Sequence, residues 1–559
     1  MVVPKRTADL SAAQQRLWYM SQLEPESPYY NITLAIKLGS DINLDYLAKA
    51  LQKLVLRHDI LRTCYPIVNG VVHQEVFPAS HWMVEEYCFE YEGIDDEEKS
   101  ANIADAIAQF HIDVENGPVF RAFIVSVSPA QNLLVLLTHH IATDQNSINV
   151  MMTELDMLYE IEHQGEHRDL MHAPAYIDYV LFENTRFLQQ KEKLFAFWDK
   201  QLAKGLEAIA LPYDKQPNPD RSRLGREIAF LIDGDELSTF RSWCRREQST
   251  EFAGLLTIWA LLLGLISNKS NFFIATATAF REKVKFKRSL GCFINTLAIH
   301  HSFSLDDMAF SVLRHNEANI METFEHRAMT YEKLIERARY VQRKNIGDPV
   351  NAYIQYQPRK MMKDSRISEN FSPNLNVHNG RAKFPLMMNI SDWDSYLHCT
   401  IEYEKELFTD KKIEKIKNIF LQITKLVTSQ PDIRIGELFN KIHNEEGLHK
   451  WNTLRQAPVF EKPPIAIETQ AIEKKGVQYE LSILWAKLLG SESIKEKDDF
   501  FLEGGNSFLL IRLLWQINQQ FGLQIPLKDI YQCTRFDLMS ALVEENIFDK
   551  AESFENYGR

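Results

Sequence analysis

A short apolar run that ends in two adjacent histidines is the feature that most constrains the fold. The aliphatic residues 133–137 lead through a threonine to His139 and His140, and three residues separate His140 from Asp144. A short aliphatic run bounded by polar residues predicts a buried strand, and from Ser147 onward the apolar residues recur at helical spacing. The histidines are therefore predicted to lie in the turn from a buried strand into a helix. Open α/β sheets tend to bind ligands at that end of their strands, and an imidazole there can exchange a proton near neutral pH.

The composition is that of a globular protein and argues against several classes of function. Of the 559 residues, 45% are hydrophobic and 25% are charged, and the length allows three or more compact domains. The net charge of −13 argues against a nucleic-acid binder and disfavours binding to anionic membranes. The six cysteines include no close pair, which is typical of a reducing cytosol. We therefore expect a cytoplasmic protein with no nucleic-acid or membrane partner.

Residues 252–266 form a long apolar stretch that we interpret as a buried helix. The stretch is shorter than the ~20 residues that a helix needs to span a bilayer. The first six residues lack the apolar core of a signal peptide.

Local signals divide the chain into a large mixed region and a small helical one. Ser11 with Gln14 forms a capping box at the first helix. Strand and helix patterns then alternate to about Glu445, which indicates α/β or α+β layers. A polar, proline-containing stretch over 447–476 reads as a linker. The apolar spacing beyond it predicts a small antiparallel bundle of helices.

The loop between the first two helices of the bundle contains Gly-Gly-Asn-Ser at 504–507. Taken alone, Ser507 reads as a helix cap. With Phe500 and Phe501 before it, however, the segment resembles the Gly-Gly-His/Asp-Ser-Leu signature of peptidyl and acyl carrier domains, and the resemblance covers about 477–547. It implies that Ser507 carries a covalent 4′-phosphopantetheine, while Asn506 replaces the commoner His or Asp. Such an arm holds a thioester at high effective concentration.

The large N-terminal region resembles the condensation domains of nonribosomal peptide synthetases, which have the chloramphenicol acetyltransferase-like fold. Five blocks of that family occur in the expected order. They are Ser-Ala-Ala-Gln-Gln-Arg-Leu-Trp at 11–18, Arg-His-Asp-Ile-Leu-Arg-Thr at 57–63, His-His-Ile-Ala-Thr-Asp-Gln at 139–145, Tyr-Ile-Asp-Tyr at 176–179 and Leu-Gly-Cys-Phe-Ile-Asn-Thr at 290–296.

The resemblance implies two α/β lobes arranged in a V, with the reaction in a tunnel between them, followed by an all-α four-helix carrier domain. We place the N-lobe at 1–178, the C-lobe at 179–446, the linker at 447–475 and the carrier at 476–550. Donor and acceptor thioesters enter such a tunnel from opposite faces, and the acceptor amine attacks the donor carbonyl to form an amide.

The resemblance also assigns the site residues. The active histidine of the family is the second of the pair, so His140 takes that role beside His139. It either accepts a proton from the attacking amine or positions it. Asp144 is expected to hold the loop through an ion pair with Arg281.

Two further residues are expected in the tunnel. Gln145 stands where the family has glycine, and its side chain could narrow the tunnel, strain the turn or contact a substrate. Asn295 belongs to the last block. No metal site is expected, because the helically spaced His163 and His167 read as solvated loop residues.

The sequence lacks an adenylation domain between the condensation and carrier regions. We therefore expect a separate adenylation enzyme to charge the arm in trans, unless the chain was cut from a larger synthetase. The other expected partners are an upstream donor carrier protein and a phosphopantetheinyl transferase. Three alternative functions stay open at this point: release of an acyl group onto a free amine or alcohol, epimerisation, and a catalytically silent scaffold that recruits carriers.

Overall fold

The computed structural model describes residues 6–78, 82–87, 95–129, 131–165, 170–205, 208–218, 222–281, 283–342, 350–358, 380–446, 476–491 and 493–557. The strands are β1 (Arg6–Ala8), β2 (Asn31–Leu38), β3 (Thr63–Cys64), β4 (Ile67–Val68), β5 (Val71–Val72), β6 (Gln74–Val76), β7 (Glu85–Tyr87), β8 (Phe120–Ser128), β9 (Gln131–His139), β10 (Gly225–Asp233), β11 (Asn271–Ala279), β12 (Ile294–Ser302), β13 (Ala352–Gln357), β14 (Leu386–Asp392) and β15 (Tyr396–Glu404). The helices are α1 (Ala12–Leu23), α2 (Leu44–Arg57), α3 (Asp96–Ala108), α4 (Gln145–Gln164), α5 (Tyr176–Leu202), α6 (Gly234–Arg246), α7 (Glu251–Ser267), α8 (Ala309–Glu325), α9 (Tyr331–Gln342), α10 (Asp410–Ser429), α11 (Ile435–Glu446), α12 (Val477–Leu489), α13 (Ser507–Phe521), α14 (Leu527–Gln532) and α15 (Phe536–Tyr557).

The N-lobe is built on a four-stranded sheet in the order β2-β9-β8-β7. Its central strand β9 has both faces covered, since Leu133, Val135 and Leu137 pack with α3, whereas Leu134 and Leu136 belong to the larger core on the opposite face. Alternate side chains of a strand point to opposite faces, so a strand covered on both sides must be apolar throughout. This confirms the buried strand predicted from the aliphatic run.

The C-lobe is built on a six-stranded sheet in the order β10-β15-β14-β13-β11-β12. Strand β13 runs parallel to β11 and β14, and the other neighbours are antiparallel. Helix α7 lies in the core of this lobe, and every residue from Ala253 to Ser267 is buried. The apolar stretch is therefore a core helix, as predicted. In the described part of the chain, no single helix is long and apolar enough to cross a bilayer.

The C-terminal region is the predicted helical bundle. Helices α12 to α15 form this bundle, and the buried ring of Trp485 in α12 meets Phe500 at 5.1 Å and Phe536 of α15 at 5.3 Å between centroids. The proposed boundary between the lobes after residue 178 falls within the first turn of α5, and the proposed linker 447–475 lies outside the described residues.

Candidate active site

The turn after β9 is held by backbone hydrogen bonds that fix both histidines. The backbone N–H of His140 donates to the carbonyl of Tyr30 at 2.8 Å, and that of Ala142 donates to the carbonyl of His139 at 3.0 Å. Asp144 then caps α4, because its Oδ1 accepts the backbone N–H of Ser147 at 2.7 Å. A short acidic side chain is well suited to this position, since it satisfies a free N–H of the first helical turn.

The two histidines carry their protons on different nitrogens. Nδ1 of His140 lies 2.7 Å from the carbonyl oxygen of Thr143, and since a carbonyl can only accept, this nitrogen carries the hydrogen. Its Nε2 then carries a lone pair and can accept a hydrogen bond. Nδ1 of His139, in contrast, accepts the backbone N–H of Ile141 at 3.2 Å. The neutral His139 ring therefore carries its hydrogen on Nε2.

Both rings are neutral at pH 7. Burial, with a contribution from the nearby Lys383 ammonium, lowers the pKa of His140 to about 4. Burial also lowers the pKa of His139 to about 3. His139 is only 4% exposed, whereas His140 is half-buried. His140 is therefore the more exposed ring of the pair.

A small cleft between the lobes reaches His139. Its lining comes from the C-terminal half of α1 and the segment after it, from His139, and from Arg223 of the C-lobe. The lining residues are Met20, Ser21, Glu24, Ser27, Tyr29, Tyr30, His139 and Arg223.

Asp144 and Arg281 join the two lobes beneath the histidines. Nη2 of Arg281 lies 3.0 Å from Oδ1 of Asp144 and 2.6 Å from Oγ of Ser147. The other carboxylate oxygen of Asp144 accepts the backbone N–H of Phe293 at 3.0 Å. Asp144 is 1% exposed, so this is a buried ion pair with additional hydrogen bonds on both partners. The expected Asp144–Arg281 pair is thus present, and Asp144 orders the loop without facing the cleft.

Four of the five sequence blocks are joined by hydrogen bonds. Ser11 Oγ and the carbonyl of Cys292 both bond the hydroxyl of Tyr176, Arg16 donates to Thr296 Oγ1 at 3.0 Å, and the backbone N–H of Phe293 donates to Asp144. Residues up to 280 positions apart in sequence are therefore in direct contact.

Asn295 is bonded to the turn before α9. Its amide nitrogen donates to the carbonyls of Arg327 and Met329, and its oxygen accepts the backbone N–H of Tyr331. The side chain therefore positions the start of that helix.

Gln145 occupies the first position of α4 and is exposed. It is not among the described residues with a positive φ, so the side chain that replaces the family's glycine causes no backbone strain. Of the two histidines weighed as metal ligands, His163 stacks on Tyr159 in α4 and His167 lies outside the described residues. Within the described ranges, no group of three or more His, Cys, Asp or Glu side chains could hold a metal ion.

Ser507 begins α13, and Asn506 takes over the capping role. The side-chain oxygen of Asn506 accepts the backbone N–H of Leu509 at 2.9 Å. This leaves the Ser507 hydroxyl unused for capping, and it lies near the hydroxyl of Tyr19. Tyr19 belongs to α1, so the carrier packs against the N-lobe with Ser507 facing it.

Two contributions to the site could not have been found from local sequence. The carbonyl of Tyr30 holds the His140 backbone, and the Lys383 ammonium acts on its ring. Both come from distant parts of the chain and carry no motif that marks them.

Two protein families match the chain. The family described as "Condensation domain" matches residues 5–445, and the one described as "Phosphopantetheine attachment site" matches residues 480–543.

The curated relatives are synthases that are much longer than this chain. The chain is 26% identical over 445 residues to tyrocidine synthase 2 of Brevibacillus parabrevis, covering 78% of this chain and 12% of that protein. It is 25% identical over 435 residues to surfactin synthase subunit 1 of Bacillus subtilis (strain 168), covering 77% and 12%. The chain thus spans a small part of the length of the relatives that it matches.

Solved structures share the fold. One is holo-AB3403, a four-domain nonribosomal peptide synthetase bound to AMP and glycine, with a TM-score of 0.70 and 16% identity over 78% of this chain and 34% of that one. Another is the condensation domain of the Monacolin K polyketide synthase MokA, with a TM-score of 0.64 and 17% identity over 78% of this chain and all of that one.

Proposed function

The chain belongs to the condensation-domain family and continues into a phosphopantetheine-attachment domain, and from this premise we propose that it joins a donor acyl or peptidyl thioester to an acceptor amine as an amide. The acceptor is held at Ser507, and the donor arrives on a separate carrier. The observation that carries this proposal is the neutral, half-buried His140 ring, whose Nδ1 is committed to the Thr143 carbonyl and whose neighbour His139 lines a cleft between the lobes.

The residues around Ser507 fit a covalent phosphopantetheine. Because Asn506 caps α13, the Ser507 hydroxyl needs no partner within the helix. A phosphodiester on this oxygen would lie at the N-terminus of a 15-residue helix, where the free N–H groups and the helix dipole favour an anion. When attached, the arm supplies a flexible thiol that holds the acceptor as a thioester.

In the proposed reaction the acceptor nitrogen attacks the donor carbonyl carbon. The C–N bond forms, the donor C–S bond breaks, and the proton lost by the amine ends on the departing donor thiol. The Nε2 lone pair of His140 accepts a hydrogen bond from the attacking amine and so orients it toward the carbonyl.

The pKa of His140 favours this positioning role over full proton transfer. A ring with a pKa of about 4 retains a proton poorly at pH 7, and a free α-amine with a pKa near 8 is already partly neutral there. The amine therefore needs orientation more than it needs a strong base. Asp144 and Arg281 act through the loop, and they are positioning residues.

The test has two parts, on carrier loading and on transfer. Treatment with coenzyme A and a phosphopantetheinyl transferase should add the mass of one arm to the wild type and none to Ser507→Ala. With an aminoacyl group loaded at Ser507 and an acylated donor carrier added, the donor acyl group should move onto the Ser507 arm. Transfer at the same rate by His140→Ala would overturn the assignment of His140. The donor acyl group appearing on a free amine would support release instead.

The remaining partners belong to the same proposal. An upstream donor carrier, a phosphopantetheinyl transferase and a separate adenylation enzyme that charges Ser507 would complete the reaction. A cytoplasmic location is supported by the described cysteines, all of which are free thiols.

A further inference from the structure

The hairpin formed by β4 and β5 has a buried tip, although its neighbours are exposed. Asn69 and Gly70 connect the strands with φ values of +52° and +76°, the two positive values of a tight two-residue hairpin turn. Val68 and Val71 are 42% and 38% exposed, and Asn69 is also exposed, yet Gly70 is buried. Something outside the hairpin therefore covers Gly70.

The indole of Trp515, on α13 of the carrier domain, covers it. A Cβ atom built on Gly70 would lie 3.0 Å from Cε3 and 3.1 Å from Cδ2 of that ring. The missing side chain of Gly70 thus allows a close approach between hairpin backbone and indole.

The hairpin is tied to helix α1, which also touches the carrier. Tyr65, two residues before β4, accepts the indole N–H of Trp18 on its carbonyl at 2.9 Å and the amide of Gln14 on its hydroxyl at 3.1 Å. On the same helix, Tyr19 meets Tyr531 of α14 edge-on, with ring centroids 5.6 Å apart. One rigid part of the N-lobe therefore contacts two carrier helices.

A third contact comes from the other lobe. The guanidinium of Arg339 in α9 lies 4.7 Å from the centre of the Phe501 ring.

Trp515 follows Ser507 by eight residues, or about two turns of α13. Holding both Trp515 and the start of α13 fixes the direction of this helix, so Ser507 is presented beside Tyr19.

We propose that the β4–β5 hairpin is a docking element that recognises this chain's own carrier through Trp515 and so holds it against α1 as the acceptor carrier. The choice between acceptor and donor rests on the proposed function, whereas the recognition of Trp515 does not. A carrier with a small residue at this position would lose the contact with the hairpin.

The first experiment measures docking without any catalysis. Hydrogen exchange of residues 67–72 is compared in the full-length wild type, Trp515→Ala, Trp515→Phe and the control Tyr479→Ala, which removes a carrier aromatic that is 63% exposed on α12. We expect exchange to rise about tenfold or more in Trp515→Ala, to rise less in Trp515→Phe, and to stay at the wild-type rate in Tyr479→Ala. Unchanged protection in Trp515→Ala, or equal loss in Tyr479→Ala, would overturn the proposal.

Two further measurements separate docking from folding and from the proposed function. Attachment of the arm to Ser507 should proceed normally in Trp515→Ala if the carrier is folded, and loss of attachment together with loss of protection would overturn the docking interpretation.

In the transfer assay, Trp515→Ala should lower kcat about tenfold and leave the KM for the donor carrier unchanged. A raised KM for the donor, with kcat unchanged, would assign this surface to the donor instead. Absence of transfer in every variant, with the exchange pattern as expected, would contradict the proposed function and leave the docking proposal standing.

Discussion

At the scale of single residues, the site depends on two neighbouring histidines that carry their ring hydrogen on different nitrogens. His139 is the end of a buried strand and uses Nδ1 as an acceptor, whereas His140 donates from Nδ1 and keeps Nε2 free. The backbone of the turn decides this difference, since Ile141 offers an N–H to one ring and Thr143 a carbonyl to the other. Nε2 therefore differs between the two rings, because it carries the hydrogen in His139 and a lone pair in His140.

The pH dependence of transfer should reflect the amine and not His140. Because the pKa of His140 is about 4, the ring stays neutral from pH 5.5 to 8.5, and the rate should rise with pH as the acceptor amine loses its proton near pH 8. His140→Ala should lower the rate about 100-fold, since it removes the group that orients the amine, without changing the shape of the profile. An inflection near pH 6.5 that disappears in His140→Ala would contradict this account.

Removing one partner of the Asp144–Arg281 pair should destabilise the protein. Asp144→Ala leaves a guanidinium that is 10% exposed without its carboxylate, at a cost of about 3–5 kcal/mol in the free energy of unfolding. Urea unfolding measures this loss. As the matched control, the double variant Asp144→Ala/Arg281→Met should recover part of the stability, since no charge stays buried alone. An Asp144→Ala protein with wild-type stability and full activity would refute the role of the pair.

At the scale of elements, two helix N-termini organise the chemistry. Asp144 caps α4 below His140, and Asn506 caps α13 in front of Ser507. In both helices, the residue before the first turn satisfies a free backbone N–H. The side chains of His140 and Ser507 are therefore not needed for capping. The departure from His or Asp at position 506 is therefore compatible with the cap, because Asn serves equally well at this position.

Replacing Asn506 and Ser507 one at a time with alanine should separate the stability of α13 from the attachment of the arm. Asn506→Ala should lower the free energy of unfolding of the carrier region by about 1 kcal/mol and still accept an arm. Ser507→Ala should keep the wild-type stability and accept none. Thermal unfolding and intact-protein mass spectrometry measure the two effects. Equal destabilisation by Ser507→Ala would show that this hydroxyl serves the helix after all.

At the scale of the whole molecule, the lobes are joined by contacts between sequence blocks that lie far apart. The sequence predicted the elements themselves well, because caps, apolar periodicity and the aliphatic run of β9 are local properties. It also predicted the Asp144–Arg281 pair, though only through the family resemblance. It gave no sign of the hydrogen bonds from Asn295 to the start of α9, of Lys383 near His140 or of Gly70 beneath Trp515, because these depend on how distant segments pack.

The buried neutral histidines should make the folded protein sensitive to acid. Burial lowers the pKa values of His139 and His301 to about 3 and that of His140 to about 4, whereas the unfolded chain binds these protons near pH 6.5. The unfolded state therefore holds more protons between these values, and the free energy of unfolding should fall as the pH is lowered from 6.5 toward 4. Urea unfolding at pH 7.5 and 5.5 measures the change. His301→Asn removes one such group that does not line the cleft, so it should reduce the change in the free energy of unfolding between these two pH values. An equal change in wild type and His301→Asn would contradict this origin.

The central claim is that an amide forms on the Ser507 arm next to His140. Intact-protein mass spectrometry of the chain, loaded with an aminoacyl arm and mixed with an acylated donor carrier, tests it most directly. We expect the mass of the donor acyl group to appear on the arm of the wild type, to be nearly absent in His140→Ala, and to be unaffected by Tyr479→Ala. Equal acyl transfer by wild type and His140→Ala, or a loaded chain that never gains the acyl mass, would contradict the account.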